Sequence, residues 1–596
     1  MSTSFAMTVA DEWTAYDPQG AAKPADRRAD SLGAAVDGTA VLRSARGGYA
    51  SFRVLVSGRG RFRLRVAMEG GLEADLYRAW YHPLDQGEGR PKVYLPDALV
   101  PARRGQSFEI PDPDNAIPGQ TVQEFWVDVF VPPDAKPGEI AGRVRLSADG
   151  ESADLPIRVT VIDAVLPDEP CLAMDQNSYG CRWLRDYYPK TLGGRAGSEH
   201  YWHKSSELIQ DYFRVAHEHR TLFHNLGYGH SGQFDPIYGP RAVGHGRERR
   251  LADWDYFDRH HGPLLDGSAF ATAAPGMPRP RQSARPIWAV YTPFNPEWPA
   301  SYLNWGEPGY EVEFTRCMGE FDRHFRERGW TRTHLEFFFN HKKRYRWFEW
   351  DGDEAKFAKD DAYHLEMIRL WEKAIGDTPV KWVYRADVSW RMKDQFNTLG
   401  DHRNLWDCGG FCAWYPEEIA KVVARGEIVT CYGGYPRIDA PTSSTLENLY
   451  RTWVRGMHGF GAWLTPNPGP DPWFACNGAA TGVFYPGERF GIAGPIPSIR
   501  LKVLRNGIQD IDLLDQSAKR AERVAQAREE LAAAVGVPVW QAPPRVAREL
   551  PPEDWDSVNL GAEHEPIMSP EERLGSGWWS TVREMAITAA AGKEAR

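Results

Sequence analysis

The chain has no run of 18 or more apolar residues, so nothing in it reads as a membrane-spanning helix. It also lacks a basic run, and with a net charge of −10 it is a poor match for nucleic acid. The opening residues, MSTSFAMTVADEW, lack the basic and apolar regions of a signal peptide, which leads us to expect a cytoplasmic protein. Seven cysteines in 596 residues form no disulfide framework. Cys408 and Cys412 stand at C-x3-C spacing without a second Cys/His pair, so they read as buried thiols and not as a zinc site. No G-x-S-x-G occurs (Gly229-His230-Ser231-Gly232 does not fit it), nor H-E-x-x-H, nor a Walker P-loop. Neither a metal nor a cofactor is expected.

Aromatics, by contrast, are plentiful: 24 Trp and 24 Tyr, more than a core needs, and of a kind that stacks on sugar rings. The plainer alternative is a large aromatic core. The length exceeds one core, so two or three domains are expected. Up to about residue 165 short alternating runs recur, among them Tyr49 to Val56, Arg61 to Met68, Glu124 to Val131, Ala141 to Leu146 and Leu155 to Ile162, separated by Gly, Pro and Asp turns. This pattern predicts a β-sandwich with a scaffold role, carbohydrate binding being the lesser alternative.

From about residue 170 strands alternate with helices. The predicted strands are Leu172–Asn177, Leu222–Tyr228, Ile287–Thr292, Leu335–Asn340, Val380–Arg385, Asn404–Cys408, Ile428–Gly433 and Ala462–Thr465. Helical patterns lie at Ser205–Glu218, Glu311–Arg328, Asp361–Ile375, Pro416–Ala424 and Thr445–Met457, several ending at a glycine such as Gly329 or Gly376. Eight strands with interposed helices is the count of a (β/α)8 TIM-like barrel, though the long insertion from 229 to 286 blurs the third crossover. After about 495 the chain is helical. The expected division is residues 1–165 for the sandwich, 166–500 for the barrel, and 501–596 for a helical extension packing on it, an α/β multidomain architecture.

Chemistry in such barrels sits at the C-terminal strand ends, which here carry Asn177, His224 and Asn225, Tyr291, Asn340 and His341, Arg385 and Asp387, Asp407, Tyr432 and Trp463. The fourth strand runs into an aromatic loop through Tyr345, Trp347, Phe348 and Trp350, and then into the adjacent carboxylates Asp353 and Glu354. An Asp-Glu pair is weak evidence alone, since Asp11-Glu12 and Asp168-Glu169 also occur, but only the third follows a barrel strand on the catalytic face. Neighbours in a strand point to opposite faces, so this pair must sit in a loop or bulge to converge. The candidate substrate-binding residues are Asn340, His341, Lys342, Trp350, Arg385, Asp387, Trp390, Asp407, Tyr432 and Trp463, with Trp463, Trp390 and Tyr432 as a sugar platform.

Three stretches resemble glycoside hydrolase family 123, the β-N-acetylgalactosaminidase family: FWVDVFVPPDAKPGEIAGRVRL with DLPIRVTVIDAVLPDEP, the Asp353-Glu354 pair before a helix, and IPSIRLKVLRNGIQDIDLL. The resemblance implies a barrel enzyme that cleaves 2-acetamido-2-deoxy-β-glycosides with substrate assistance, Glu354 acting as acid/base and Asp353 orienting the acetamido group. The charge of Asp353, with burial against Trp350, is then expected to raise the pKa of Glu354. The family pattern is Asp-Glu-Pro, whereas Ala355 follows this pair, and Asn340-His341 competes with it for the catalytic position. Two other readings stay open. One is a glycosidase for another sugar, pairing Asp353 or Glu354 with Asp387 or Asp407; the other is a catalytically silent carbohydrate-binding relative. The implied partner in each case is a carbohydrate.

Overall fold

The alternating runs of the first part of the chain pleat into two packed sheets. One has five strands, in the order Ala6–Ala10, Gly48–Ser57, Val122–Val131, Glu73–Leu84, Val93–Pro101. The other has six, in the order Ala35–Val36, Thr39–Arg46, Glu151–Val165, Gly138–Ala148, Gly60–Met68, Ser107–Ile110. Their inner faces meet through Phe52, Val54, Phe62, Phe125, Val127 and Val159, as expected of a sandwich. Asp149 and Gly150 join Gly138–Ala148 to Glu151–Val165 with φ of 50° and 82°, the paired left-handed geometry that matches strand twist in a two-residue hairpin. The computed structural model describes residues 5–27, 35–301, 307–345, 348–355, 358–388, 392–409, 416–466, 468–475, 482–518, 521–535 and 577–592.

The second part is an eight-stranded parallel barrel. In chain order its strands are Ala173–Tyr179, Leu222–Leu226, Ala289–Tyr291, His334–Phe338, Lys381–Val388, Asn404–Cys408, Ile428–Gly433 and Gly459–Ala462. Hydrogen-bonded ladders join every neighbouring pair except the second and third strands, which close the ring side by side. All eight predicted strands are present. The eighth lies earlier than expected, because Trp463 leaves the sheet and Leu464 takes a φ of 55°. The first and fifth run longer, which brings Tyr179 and Asp387 onto strands. Helices Glu199–Glu218, Tyr310–Arg328, Ala358–Ile375, Pro416–Ala424 and Glu447–Val454 fall where periodicity predicts them. No helix among the described residues is long and apolar enough to cross a membrane. Cys408 is buried in the sixth strand, and Cys412 lies outside the described residues.

Helix Ile499–Ala518 locks the two parts together, and its polar residues do so while buried. Arg500 bonds Asp97 of the sandwich at 2.8 Å, and Gln509 bonds the backbone of Tyr49 through both ends of its amide. Asp512 accepts from Arg220 at 2.6 Å on the barrel side, and Asp510 accepts from Trp579 at 2.9 Å in helix Trp578–Ala590. Lys502 and Arg505 both grip Asp128, which also accepts from Ser51 and Trp126 at 2.7 Å each. Burial alone would raise the Asp128 pKa, but Arg505 and Lys502 outweigh it and hold the carboxyl well below the usual range.

Removing one member of such a buried cluster strands the others. We expect Asp128→Ala to cost about 3–5 kcal/mol, read as a large drop in the first thermal unfolding midpoint. The exposed substitution Arg61→Ala should leave that midpoint nearly unchanged, since exposed ion pairs contribute at most about 1 kcal/mol.

Candidate active site

At the C-terminal ends of the barrel strands lies a cavity of about 160 Å³, lined by Asp175, Asn177, Tyr179, His230, Tyr291, Phe338, Lys342, Asp353, Glu354, Arg385, Asp387, Asp407, Tyr432, Gly461 and Trp463. Its floor is built by strand periodicity. Asp175, Asn177 and Tyr179 are alternate residues of the first strand, and Arg385 and Asp387 alternate residues of the fifth, so each set points inward. Asp387 and Asp407 are direct cross-strand partners, a like-charge pairing that Arg385 relieves. The Arg385 guanidinium bonds Asp387 at 2.8 Å, Asp407 at 2.6 Å and Glu336 at 2.9 Å, and lies over the rings of Tyr291 and Phe338 at 5.0 and 4.9 Å. Beside it, His224 Nδ1 sits 2.7 Å from Asp175 Oδ2, and the other oxygen of Asp175 is buried without a hydrogen-bond partner.

The wall comes from the loop after the fourth strand. Gly352 and Asp353 both donate backbone N–H to the His341 carbonyl, at 3.0 and 3.3 Å, tying the loop back onto the strand exit. Gly352 is required there, because a Cβ would stand 2.5 Å from the Phe339 carbonyl oxygen and 2.6 Å from the His341 ring. Glu354 then adopts a φ of 51°, and this left-handed turn brings two sequence neighbours to the same side. Lys342 Nζ lies 3.1 Å from Asp353 Oδ2 and 2.6 Å from Glu354 Oε2, so one ammonium spans both carboxylates. The Tyr432 hydroxyl donates to the second oxygen of Glu354. His230 donates from Nδ1 to the Asn340 carbonyl at 2.9 Å and sits 3.6 Å from Asp353 Oδ2. Two exposed aromatics flank the mouth: Tyr345, stacked on His230 at 5.0 Å, and Trp463, which donates to the Tyr179 hydroxyl at 2.9 Å.

Of the residues singled out in the sequence, the cavity gathers Asp353, Glu354, Lys342, Arg385, Asp387, Asp407, Tyr432 and Trp463, with the strand-end residues Asn177 and Tyr291. Asn340, His341 and Trp350 stand behind its wall, a correction to the expected substrate contacts. Asn340 donates to the Tyr228 carbonyl at 3.4 Å, while the buried His341 ring packs edge-on against Trp350 at 4.4 Å. Trp390 lies outside the described residues. Asp175, Tyr179 and His230 were missed. The first two were open to a period-2 reading of the whole strand instead of its last residue; His230 was hidden in the loop taken as an insertion.

Trp350 stacks on Tyr363 at 5.4 Å beneath the loop. Asp353 is pushed up to about 7 by burial, against the pull of Lys342, with Glu354 and Asp387 adding to the rise. Burial likewise takes Asp387 up to about 7 and Asp407 to about 6, both against Arg385. Asp175 is pushed well above its usual range by burial. Among the described residues no group of three or more His, Cys, Asp or Glu is arranged to hold a metal ion.

A family 123 glycoside hydrolase from Clostridium perfringens, described for glycolipid glycan hydrolysis, superposes with a TM-score of 0.62 at 14% identity, over 98% of this chain and 99% of that one. The likeness read from the sequence is therefore met in the fold along its whole length. β-Glucuronidase 3 of Bacteroides uniformis (11% identity, 78% of this chain and 51% of that one) and a β-glucuronidase of Parabacteroides merdae (9% identity, 80% and 51%) reach TM-scores of only 0.28 and 0.26. No protein-family model matches the sequence, and a search of curated proteins finds no match.

The raised carboxyl pKa values fix a pH dependence of stability. Between about pH 4 and pH 7 the folded chain holds protons on Asp353 and Asp387 that the unfolded chain has released, so these groups make stability fall as pH rises through that window and level off above it. Asp353→Asn should flatten the fall by up to about 4 kcal/mol between pH 4 and pH 8, measured as urea midpoints of mutant and wild type across that range.

Proposed function

We propose that the chain is a glycoside hydrolase, a retaining exo-acting enzyme on 2-acetamido-2-deoxy-β-glycosides that uses the substrate's own acetamido oxygen as nucleophile. The observation that carries this reading is the convergence of two adjacent carboxylates on one cavity, both within ion-pair distance of Lys342. Carboxylates on neighbouring residues, bridged on one side by a single ammonium, do not flank a bound ring from opposite faces as the usual two-carboxylate mechanisms require, but suit a mechanism in which the nucleophile belongs to the substrate. The whole-length likeness to a family 123 enzyme supports the same reading. Asp387 and Asp407, the partners that a two-carboxylate mechanism would need, are both engaged by Arg385.

In this mechanism the pair shares one proton near neutrality. In the unliganded chain burial keeps that proton on Asp353, whose pKa is about 7, while Glu354 pairs with Lys342 and accepts from Tyr432. When the acetamido N–H bonds to Asp353, its anion is stabilised and the proton passes to Glu354, the more exposed member. Glu354 then gives the proton to the glycosidic oxygen as the bond from anomeric carbon to oxygen breaks, and the acetamido oxygen closes on the anomeric carbon to form an oxazolinium ring. Asp353 stabilises the positive charge that develops there. In the second half Glu354 takes a proton from water, whose oxygen attacks the same carbon from the face the aglycone left; the bond from that carbon to the acetamido oxygen breaks and the amide is restored, so configuration is retained. A cavity of this size admits one ring, with Trp463 and Tyr345 at its mouth for the leaving portion.

A panel of nitrophenyl glycosides tests the class. We expect nitrophenol release from the 2-acetamido-2-deoxy-β-glycosides of galactose or glucose configuration and none from the matching plain β-glycosides; cleavage of the plain series alone would overturn the reading. We further expect Glu354→Gln to lower turnover of a natural glycoside at least about a hundredfold, with substrates of very acidic leaving group spared in the first step because they depart unprotonated. Near wild-type turnover of the natural glycoside would exclude Glu354 as the acid.

A further inference from the structure

The opposite end of the barrel encloses a second and larger cavity, of about 310 Å³. Its walls include the N-terminal ends of the strands, with Ala173, Leu222, His334 and Lys381 at the first residues of theirs and His458 just ahead of the last. The charge of this lining is one-sided. Arg220, Arg285, Arg332 and Lys381 face a single carboxylate, Glu169. Arg220 is engaged from behind by Asp512 at 2.6 Å, and exposed Arg332 reaches Glu169 at 3.3 Å. Arg285 is different: half-buried, it keeps a buried Nη1 with no hydrogen-bond partner in the protein, an arrangement that costs free energy. Lys381 is exposed at the rim.

The cations of this cavity also repel one another. Burial first, and then Arg220, holds the Arg285 guanidinium below its usual proton affinity; burial, Lys381 and His458 do the same to His334. An anion would relieve both. A bare ion would fill little of the space, since a water molecule takes only about 30 Å³. The remaining wall is aromatic, with Trp288 beside His334 at 4.9 Å and Phe270 stacked on His217 at 4.1 Å. The N-terminal face of such a barrel is not where chemistry is done, so the feature suits binding and not catalysis.

We propose that this basal cavity is a binding site for a small organic oxyanion, a phosphate or sulfate ester on a sugar-sized body, with Arg285 and Lys381 holding the ester and Trp288 lying against the body. The guanidinium fork suits the tetrahedral oxyanion of either ester. The inference does not depend on the reaction proposed for the other end of the barrel.

Isothermal titration calorimetry on the full chain tests it, with inorganic phosphate, inorganic sulfate, glucose 6-phosphate and glucosamine 6-sulfate as probes. We expect at least one sugar ester to bind more tightly than its inorganic ion, and the preference between the two esters to name the oxyanion. Arg285→Gln and Lys381→Gln should each weaken that binding about tenfold, the loss of one charged contact, while Tyr432→Phe at the other end leaves it unchanged. Lys381 is exposed, so its substitution keeps the test decisive if Arg285→Gln does not fold. Absence of binding by both sugar esters up to about 10 mM, weaker than any affinity worth about 3 kcal/mol, overturns the proposal, as does binding that survives Lys381→Gln undiminished.

Discussion

The Arg385 guanidinium lies inside the barrel against two aromatic rings, and its N–H groups meet carboxylates on three adjacent strands: Glu336, its own neighbour Asp387, and Asp407. Without it, Asp387 and Asp407 would stand as directly opposed like charges in a parallel ladder, in a setting that excludes water. The strand order explains why one side chain can do this. Residues 385 and 387 share a face of the fifth strand, and the fourth and sixth strands flank it on either side. An inward arginine there is not interchangeable with lysine, because the separate carboxylates are met by separate edges of a planar fork.

Lys342 does for the wall what Arg385 does for the floor. Together the two cations face five carboxylates, Asp175, Asp353, Glu354, Asp387 and Asp407. Burial first, and then that imbalance, is why Asp353, Asp387 and Asp407 hold protons at higher pH than free carboxyls do. A site so poised can keep one proton in play near neutrality, which is what acid catalysis needs. The scaffold behind it is held together in a related way: helix Ile499–Ala518 carries its own buried charges into both the sandwich and the barrel, so the two parts share one set of ion pairs.

The barrel was legible in the sequence because its strands are short apolar runs separated by helices of clear 3.6-residue periodicity, and each of the eight is where periodicity places it or within a few residues. The sandwich was legible through alternation and turn chemistry, as the Asp149-Gly150 hairpin illustrates. Asp353 and Glu354 could be picked out by position on the chain, but not their geometry. Convergence depends on a left-handed Glu354 and on a Gly352 pressed against the Phe339 carbonyl, neither of which periodicity encodes. The sequence also misled on His341 and Trp350. Aromatic and basic residues after a strand look like ligand contacts, but here they fill the space beneath a loop, where packing with Tyr363 and Phe339 outweighs exposure. Asp175 and Tyr179 escaped because Asn177 alone was read as the inward end of the first strand.

The claim on which the account turns is that Asp353 acts on the substrate's acetamido group and never bonds to the sugar. The most direct measurement is the inhibition constant of a thiazoline analogue of the 2-acetamido sugar, a stable mimic of the oxazolinium ring, for the wild type and for Asp353→Asn. The account requires tight inhibition of the wild type and a loss in the variant of about a hundredfold or more, the scale of a lost electrostatic stabiliser. Equal inhibition of both proteins, or a covalent glycosyl adduct trapped on a carboxylate of the wild type, would contradict it.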